Sequence, residues 1–117
     1  MRGMSIKDIF LAAFGRFAAG DVEVLREVIR EDFVNHDPDS PRERDAWIEY
    51  VANGPIATST LDLKRVIADD EFVVAHYALV PPEGGFGEAV ADIWRFDGEL
   101  IVEHWAVAQP ATAPGQV

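Results

Sequence analysis

Asp92 and His104 are the two residues of this chain whose neighbours suit them least. Asp92 sits in Val90-Ala91-Asp92-Ile93-Trp94-Arg95-Phe96, and His104 in Leu100-Ile101-Val102-Glu103-His104-Trp105-Ala106-Val107-Ala108. Side chains alternate along a strand, so Val90, Asp92, Trp94 and Phe96 share one side, and Leu100, Val102, His104, Ala106 and Ala108 share one side of the neighbouring run. A carboxylate among such hydrophobes must be paired, hydrogen-bonded or protonated, because burying an isolated charge costs far more than the net stability of a fold. An imidazole changes charge near neutral pH. Together the two can move a proton to and from a ligand, or they can brace the sheet as an ion pair. Ala106 leaves room beside the His104 ring, which predicts that both border a cavity. His76 alternates with Phe72, Val74 and Ala78 and is a further candidate for that lining, as is Trp94. His36 follows two β-type residues and precedes a proline-flanked loop, where it either meets ligand or holds the turns together. Three histidines and an aspartate are chemically able to hold zinc or iron, but no local signature such as His-x-x-x-His links them, and no metal is expected.

A hairpin is needed to bring the pair together. Asp97-Gly98 between two runs rich in β-branched and aromatic residues is a strong hairpin signal, since both residues tolerate positive φ. Upstream, residues 59–68 and 71–80 read as two more strands around an Asp69-Asp70 turn. Residues 81–87, with two prolines and three glycines, read as a loop. Before Gly54 the apolar spacing is three and four instead of two. Ile6, Ile9, Phe10, Ala13, Phe14 and Phe17 predict a helix that Ser5 and Asp8 cap and Gly20 closes. Asp21 is expected to cap a second helix burying Val22, Leu25, Val28 and Ile29. A third, with Trp47, Ile48 and Val51 buried, runs from Pro41 or Glu43 to Ala52 and stops at Asn53-Gly54-Pro55. Helices first and a strand meander afterward define an α+β domain, about three helices covering one face of a curved four-stranded sheet. Residues 1–110 form that single domain, and 111–117, without pattern, are expected to be a disordered tail.

The chain has 117 residues, a length suited to one domain, with 21 acidic and 10 basic side chains and a net charge of −11. Such a surface repels phosphate backbones, so nucleic acid is not an expected partner. No stretch approaches the roughly 20 apolar residues of a membrane helix. Met1-Arg2-Gly3-Met4 leads straight into the first helical pattern without a signal-peptide apolar region, which predicts a cytoplasmic location. The absence of cysteine removes disulfides and thiolate ligands from consideration.

Asp92-Ile93-Trp94-Arg95-Phe96-Asp97-Gly98 followed by Glu103-His104-Trp105-Ala106-Val107-Ala108-Gln109-Pro110 resembles the ending of SnoaL-like polyketide cyclases, a branch of the nuclear-transport-factor-two-like superfamily. Phe17-Ala18-Ala19-Gly20-Asp21, Asn35-His36-Asp37-Pro38 and Val73-Val74-Ala75-His76 are similar to that family in order and separation. The resemblance implies a cone-shaped α+β barrel, its antiparallel or mixed sheet wrapped over N-terminal helices around a central pocket. Cyclases, isomerases, epoxide hydrolases, dehydratases and non-catalytic binders share that fold. Where the cyclases continue Glu-His-Trp-Asp and use the aspartate as acid and base for an intramolecular aldol step, this chain has Ala106. Asp92 and His104 remain as the catalytic candidates, with His36, His76, Trp94 and Ala106 as ligand contacts. Two functions follow. One is a lyase, isomerase or cyclase, free of any cofactor, acting on a small and mostly apolar carbonyl compound. The other is a non-catalytic binding protein that kept the cavity. The opposite, convex face of the sheet, with Ile93, Trp105 and Val107, presents an apolar patch that predicts a homodimer.

Overall fold

The hydroxyl of Ser5 accepts the Asp8 N–H at 3.1 Å and so caps α1 (Ile6–Ala18), whose Phe10 is buried. The computed structural model describes residues 4–117. After α1 come α2 (Val24–Val28), β1 (Ile29–Asn35), α3 (Arg44–Asn53), the single turn α4 (Pro55–Thr58), and then β2 (Thr60–Ala68), β3 (Phe72–Val80), β4 (Glu88–Asp97) and β5 (Leu100–Pro110). The strands form one mixed sheet in the order β1-β5-β4-β3-β2, with β1 parallel to β5 and every other pair antiparallel. The architecture is the expected α+β one. Helices cover one face, and the core between them and the sheet includes Phe10, Ile29, Phe33, Trp47, Ile48 and Trp94. None of the described helices is long and apolar enough to cross a membrane.

Four local expectations are corrected. The sheet has five strands, not four, because the second helix ends after Val28 and Ile29 opens β1. Ile29 and Phe33 are four apart, which suits a helix face equally well; the free edge of β5 decides the matter by offering a parallel ladder. Asp21 does not cap α2; its carboxylate instead takes Arg16, which also holds Glu27. In the hairpin, Asp97 pairs with Leu100 within the ladder, and only Gly98 has positive φ, at 61°. The central residues are therefore Gly98 and Glu99, with positive φ at the first alone, as a type II′ turn requires. The alternation along β5 also breaks. Arg95 pairs with Glu103 but Phe96 with Ile101, so a bulge at Val102 brings Ile101 to the cavity side with His104, while Leu100 is left exposed.

Asp69 makes the β2–β3 turn by accepting the backbone N–H groups of Phe72 and Glu71, which hold its carboxyl below the ordinary range. Past Pro110 the chain turns around Gln116, whose side-chain oxygen accepts the Thr112 N–H at 2.6 Å. Gly87, just before β4, packs directly against the end of β3. Its φ is 68°, and a Cβ there would lie 2.0 Å from the Leu79 carbonyl oxygen. Gly87→Ala therefore has to move β3 away from β4, and a loss of about 2–4 kcal/mol is expected in urea unfolding. An equally stable variant would mean that the strand ends yield freely.

Candidate functional site

Between the inner face of the sheet and the helices lies a cavity of about 300 Å³. Phe10, Phe14 and Phe17 of α1, Trp47 of α3 and Val90 of β4 give it apolar walls. Into one wall is set a chain of four polar side chains, one from each of four adjacent strands. Asn35 of β1, His104 of β5, Asp92 of β4 and Tyr77 of β3 follow one another across the sheet. The His104 ring sits between two partners, Nδ1 lying 2.8 Å from Asn35 Oδ1 and Nε2 2.9 Å from Asp92 Oδ1. Tyr77 donates its hydroxyl to the other oxygen, Asp92 Oδ2, at 2.8 Å.

Sheet register explains these contacts. Asn35 pairs with His104 in the parallel ladder, which places their side chains next to each other on one face. Asp92 lies opposite Ala75 on one side and Ala106 on the other, and it reaches His104 and Tyr77 along the diagonals. Both direct cross-strand neighbours are methyl-sized, so they leave the carboxylate approachable from the cavity. Trp94, directly opposite His104, stacks on its ring with centroids 4.1 Å apart. Asn35, His104 and Asp92 are 2%, 3% and 8% exposed, so the network is out of bulk water and every member has to be satisfied from within. Beside the network, the Trp94 indole Nε1–H is buried without a partner. Burial, and after it the Asp92 carboxylate, raises the Tyr77 hydroxyl above its ordinary value, which keeps it a donor well past neutral pH.

Of the residues expected at the cavity, Asp92, Trp94, His104 and Ala106 border it. His36 and His76 do not. β1 ends with Asn35 turned inward, so His36 faces the other way; its Nε2 lies 2.7 Å from Glu103 and its ring stacks on Trp105 at 5.0 Å. Along β3, Val73, Ala75 and Tyr77 point to the core, which sends His76 outward beside Arg65. His76 thus belongs with Phe72 and Val74, as its spacing predicts, but on the uncovered face of the sheet. His36, and after it Arg95, holds the Glu103 carboxyl below the ordinary range. That contribution to stability is present above the ordinary carboxylate range and fades as pH falls through the lowered value. Among the described residues, no group of three or more histidine and carboxylate side chains is arranged to hold a metal ion.

Two site residues, Asn35 and Tyr77, were not singled out by the sequence reading. Tyr77 had a signal. It shares strand parity with Val73 and Ala75, and a tyrosine turned into a core needs a partner for its hydroxyl. Asn35 had only its place beside His36 in a turn-rich segment, because nothing local tells that β1 pairs with β5.

The helices packed over one face of a mixed five-stranded sheet, with a cavity between them, define the nuclear-transport-factor-two-like architecture. The family model for the SnoaL-like domain matches residues 10–104, and the chain belongs to that family. Among solved structures it is similar to an NTF-2 like protein of unknown function from Burkholderia xenovorans LB400, at 18% identity and a TM-score of 0.79, over 94% of this chain and 88% of that one. It is similar also to IdmH, a proposed polyketide cyclase from Streptomyces antibioticus, at 23% identity and a TM-score of 0.72, over 91% and 93%. An NTF2-like protein of unknown function from Cytophaga hutchinsonii aligns at 11% identity and a TM-score of 0.76, over 94% and 96%. No curated protein matches the chain by sequence.

Tyr77→Phe removes one donor from a buried carboxylate and should cost about 1–3 kcal/mol. The wild-type hydroxyl, raised in the folded state, stays protonated after the unfolded chain ionises near pH 10, so it makes stability fall as pH climbs beyond that point. Unfolding followed between pH 8 and 11 should show this fall to be shallower in Tyr77→Phe. Parallel curves for the two proteins would contradict the burial of the hydroxyl.

Proposed function

We propose that the protein is an isomerase or a related lyase that moves a proton on a small, mostly apolar carbonyl compound, with Asp92 as the base and His104 as its charge partner. The observation that carries this reading is Asp92 itself, a carboxylate at the wall of an apolar cavity, flanked in register by Ala75 and Ala106. Asp92 takes the proton from a carbon next to the ligand carbonyl. The C–H electron pair becomes the new C=C bond, and negative charge moves to the carbonyl oxygen. Return of the proton to a different carbon completes an isomerisation with no co-reactant. Charge at the cavity narrows the ligand further. Asp37, Asp39 and Glu88 border it together with Asp92, and among the described residues no lysine or arginine does, so an uncharged molecule is favoured over a carboxylate or phosphate.

A second reading has its own support. Each Asp92 oxygen already has a hydrogen-bond partner, and Ala106 occupies the place of the family's usual acid. Both features suit a binding protein without turnover. The two readings separate in one experiment. Native mass spectrometry of freshly purified protein identifies the bound molecule, and turnover of that molecule is then measured in wild type and Asp92→Asn. A loss of 10² to 10⁴ in kcat in the variant is expected. Tight binding with no wild-type turnover would assign the protein to the binders.

The uncovered sheet face is proposed as a homodimer interface. Ile67 and Val107 are each 65% exposed there, beside Ile93 and Trp105. Glu103 on that face is already bonded to Arg95 and His36 of the same copy, which leaves the apolar part of the face free to meet a second. A stable dimer needs about 1,200–2,000 Å² of buried surface in total. Trp105→Glu should give monomers in sedimentation velocity. A wild type already monomeric at high micromolar concentration would remove the proposal.

A further inference from the structure

We infer that Asn35 is a positioning residue that fixes the protonation pattern of the Asp92–His104 pair and thereby makes the pair a base. The inference rests on the proposed proton transfer for its use, but not for its test.

The loop after β1 fixes the orientation of Asn35. The Asn35 amide cannot turn over without loss. Its Nδ2 donates to Ser40 Oγ at 2.7 Å and to the Pro41 carbonyl at 2.9 Å, and the Pro41 oxygen can only accept. Its Oδ1 accepts the Asp37 backbone N–H at 3.2 Å. The backbone holds Asn35 as well, since its N–H donates to the Arg42 carbonyl at 2.9 Å, while the His36 N–H donates to the carbonyl of His104 itself at 2.8 Å. The oxygen of Asn35 is therefore the atom that faces His104, and an oxygen facing a ring nitrogen at 2.8 Å requires a proton on that nitrogen. His104 Nδ1 carries one.

With Nδ1 occupied, the gap between Nε2 and Asp92 Oδ1 holds one proton in either of two arrangements. Imidazolium faces carboxylate, or neutral imidazole faces carboxylic acid. Both leave the pair without net charge, as its burial demands. The remaining arrangement, a neutral ring protonated only at Nε2 beside a carboxylate, would bury a net negative charge and set the bare Nδ1 against the Asn35 oxygen. Asn35 excludes it. In the imidazolium form His104 has no vacant nitrogen, so a proton taken from the ligand goes to Asp92. The positive charge then left on the ring offsets the negative charge that appears on the ligand oxygen. Without Asn35 the ring is free to adopt the Nε2–H tautomer, and that compensation is lost.

Nitrogen-15 NMR of the histidine rings reads this directly in the free protein. In wild type the His104 Nδ1 resonance should lie in the protonated region at neutral pH. Asn35→Asp keeps an acceptor toward Nδ1 and should keep that signal, whereas Asn35→Leu, which has none, should shift Nδ1 toward the unprotonated region. Circular dichroism checks that both variants fold. An unprotonated Nδ1 in wild type overturns the inference without any variant, and so does an unchanged Nδ1 in a folded Asn35→Leu protein. A protonated wild-type Nδ1 in a protein with no turnover leaves the role of Asn35 standing and removes only the catalytic reading.

Discussion

The hydrogen bond between Asp92 and His104 is the contact on which the rest of the molecule turns, because a carboxylate 8% exposed has to be compensated where it stands. Its partner must come from the next strand, which puts the β4–β5 hairpin under constraint. The partner's other nitrogen needs an acceptor in turn, which engages β1. The carboxylate's second oxygen needs a donor, which engages β3. One buried charge thus ties together four of the five strands. Removing any single member leaves another buried group unsatisfied, so the row acts as a unit, and its energy cannot be divided among pairs.

The sheet order makes this possible at little cost. β1 is separated from β5 by most of the sequence, yet it is β5's immediate neighbour, and parallel pairing sets Asn35 level with His104. The bulge at Val102 brings Ile101 to the cavity side without disturbing the alternation beyond it, so His104, Ala106 and Ala108 still face the cavity together. Ala106 acquires a physical reason in this setting. An aspartate there would stand directly opposite Asp92, with Cβ atoms about 5 Å apart, and two carboxylates in one buried pair would compete for the single imidazole.

The two faces of the sheet divide the chemistry. The inner face carries a hydrogen-bonded polar row beside the apolar cavity walls. The outer face carries a charged group at its β4–β5 side, with His36 stacked on Trp105 and bonded to Glu103, and Arg95 completing it. Because residues 35 and 36 are adjacent, the same end of β1 supplies Asn35 to one face and His36 to the other.

The α+β class, the first helix, the four C-terminal strands and the family were legible in the sequence, because periodicity and turn residues are local properties. Asp92, Trp94, His104 and Ala106 were legible as a group for the same reason: strand parity places them on one side, and a charge among hydrophobes stands out. Parity could not say which side of a strand would be covered, and His76 landed on the bare face although its neighbours were read correctly. Nor could it tell that Ile29 leaves the helix for the edge of β5, since one apolar spacing serves a helix and a strand alike and only the free edge decides between them. Asn35 and Tyr77 entered the site through strand neighbours far away in sequence. Which residues compensate a buried charge depends on which strands pair, and that pairing belongs to the tertiary structure alone.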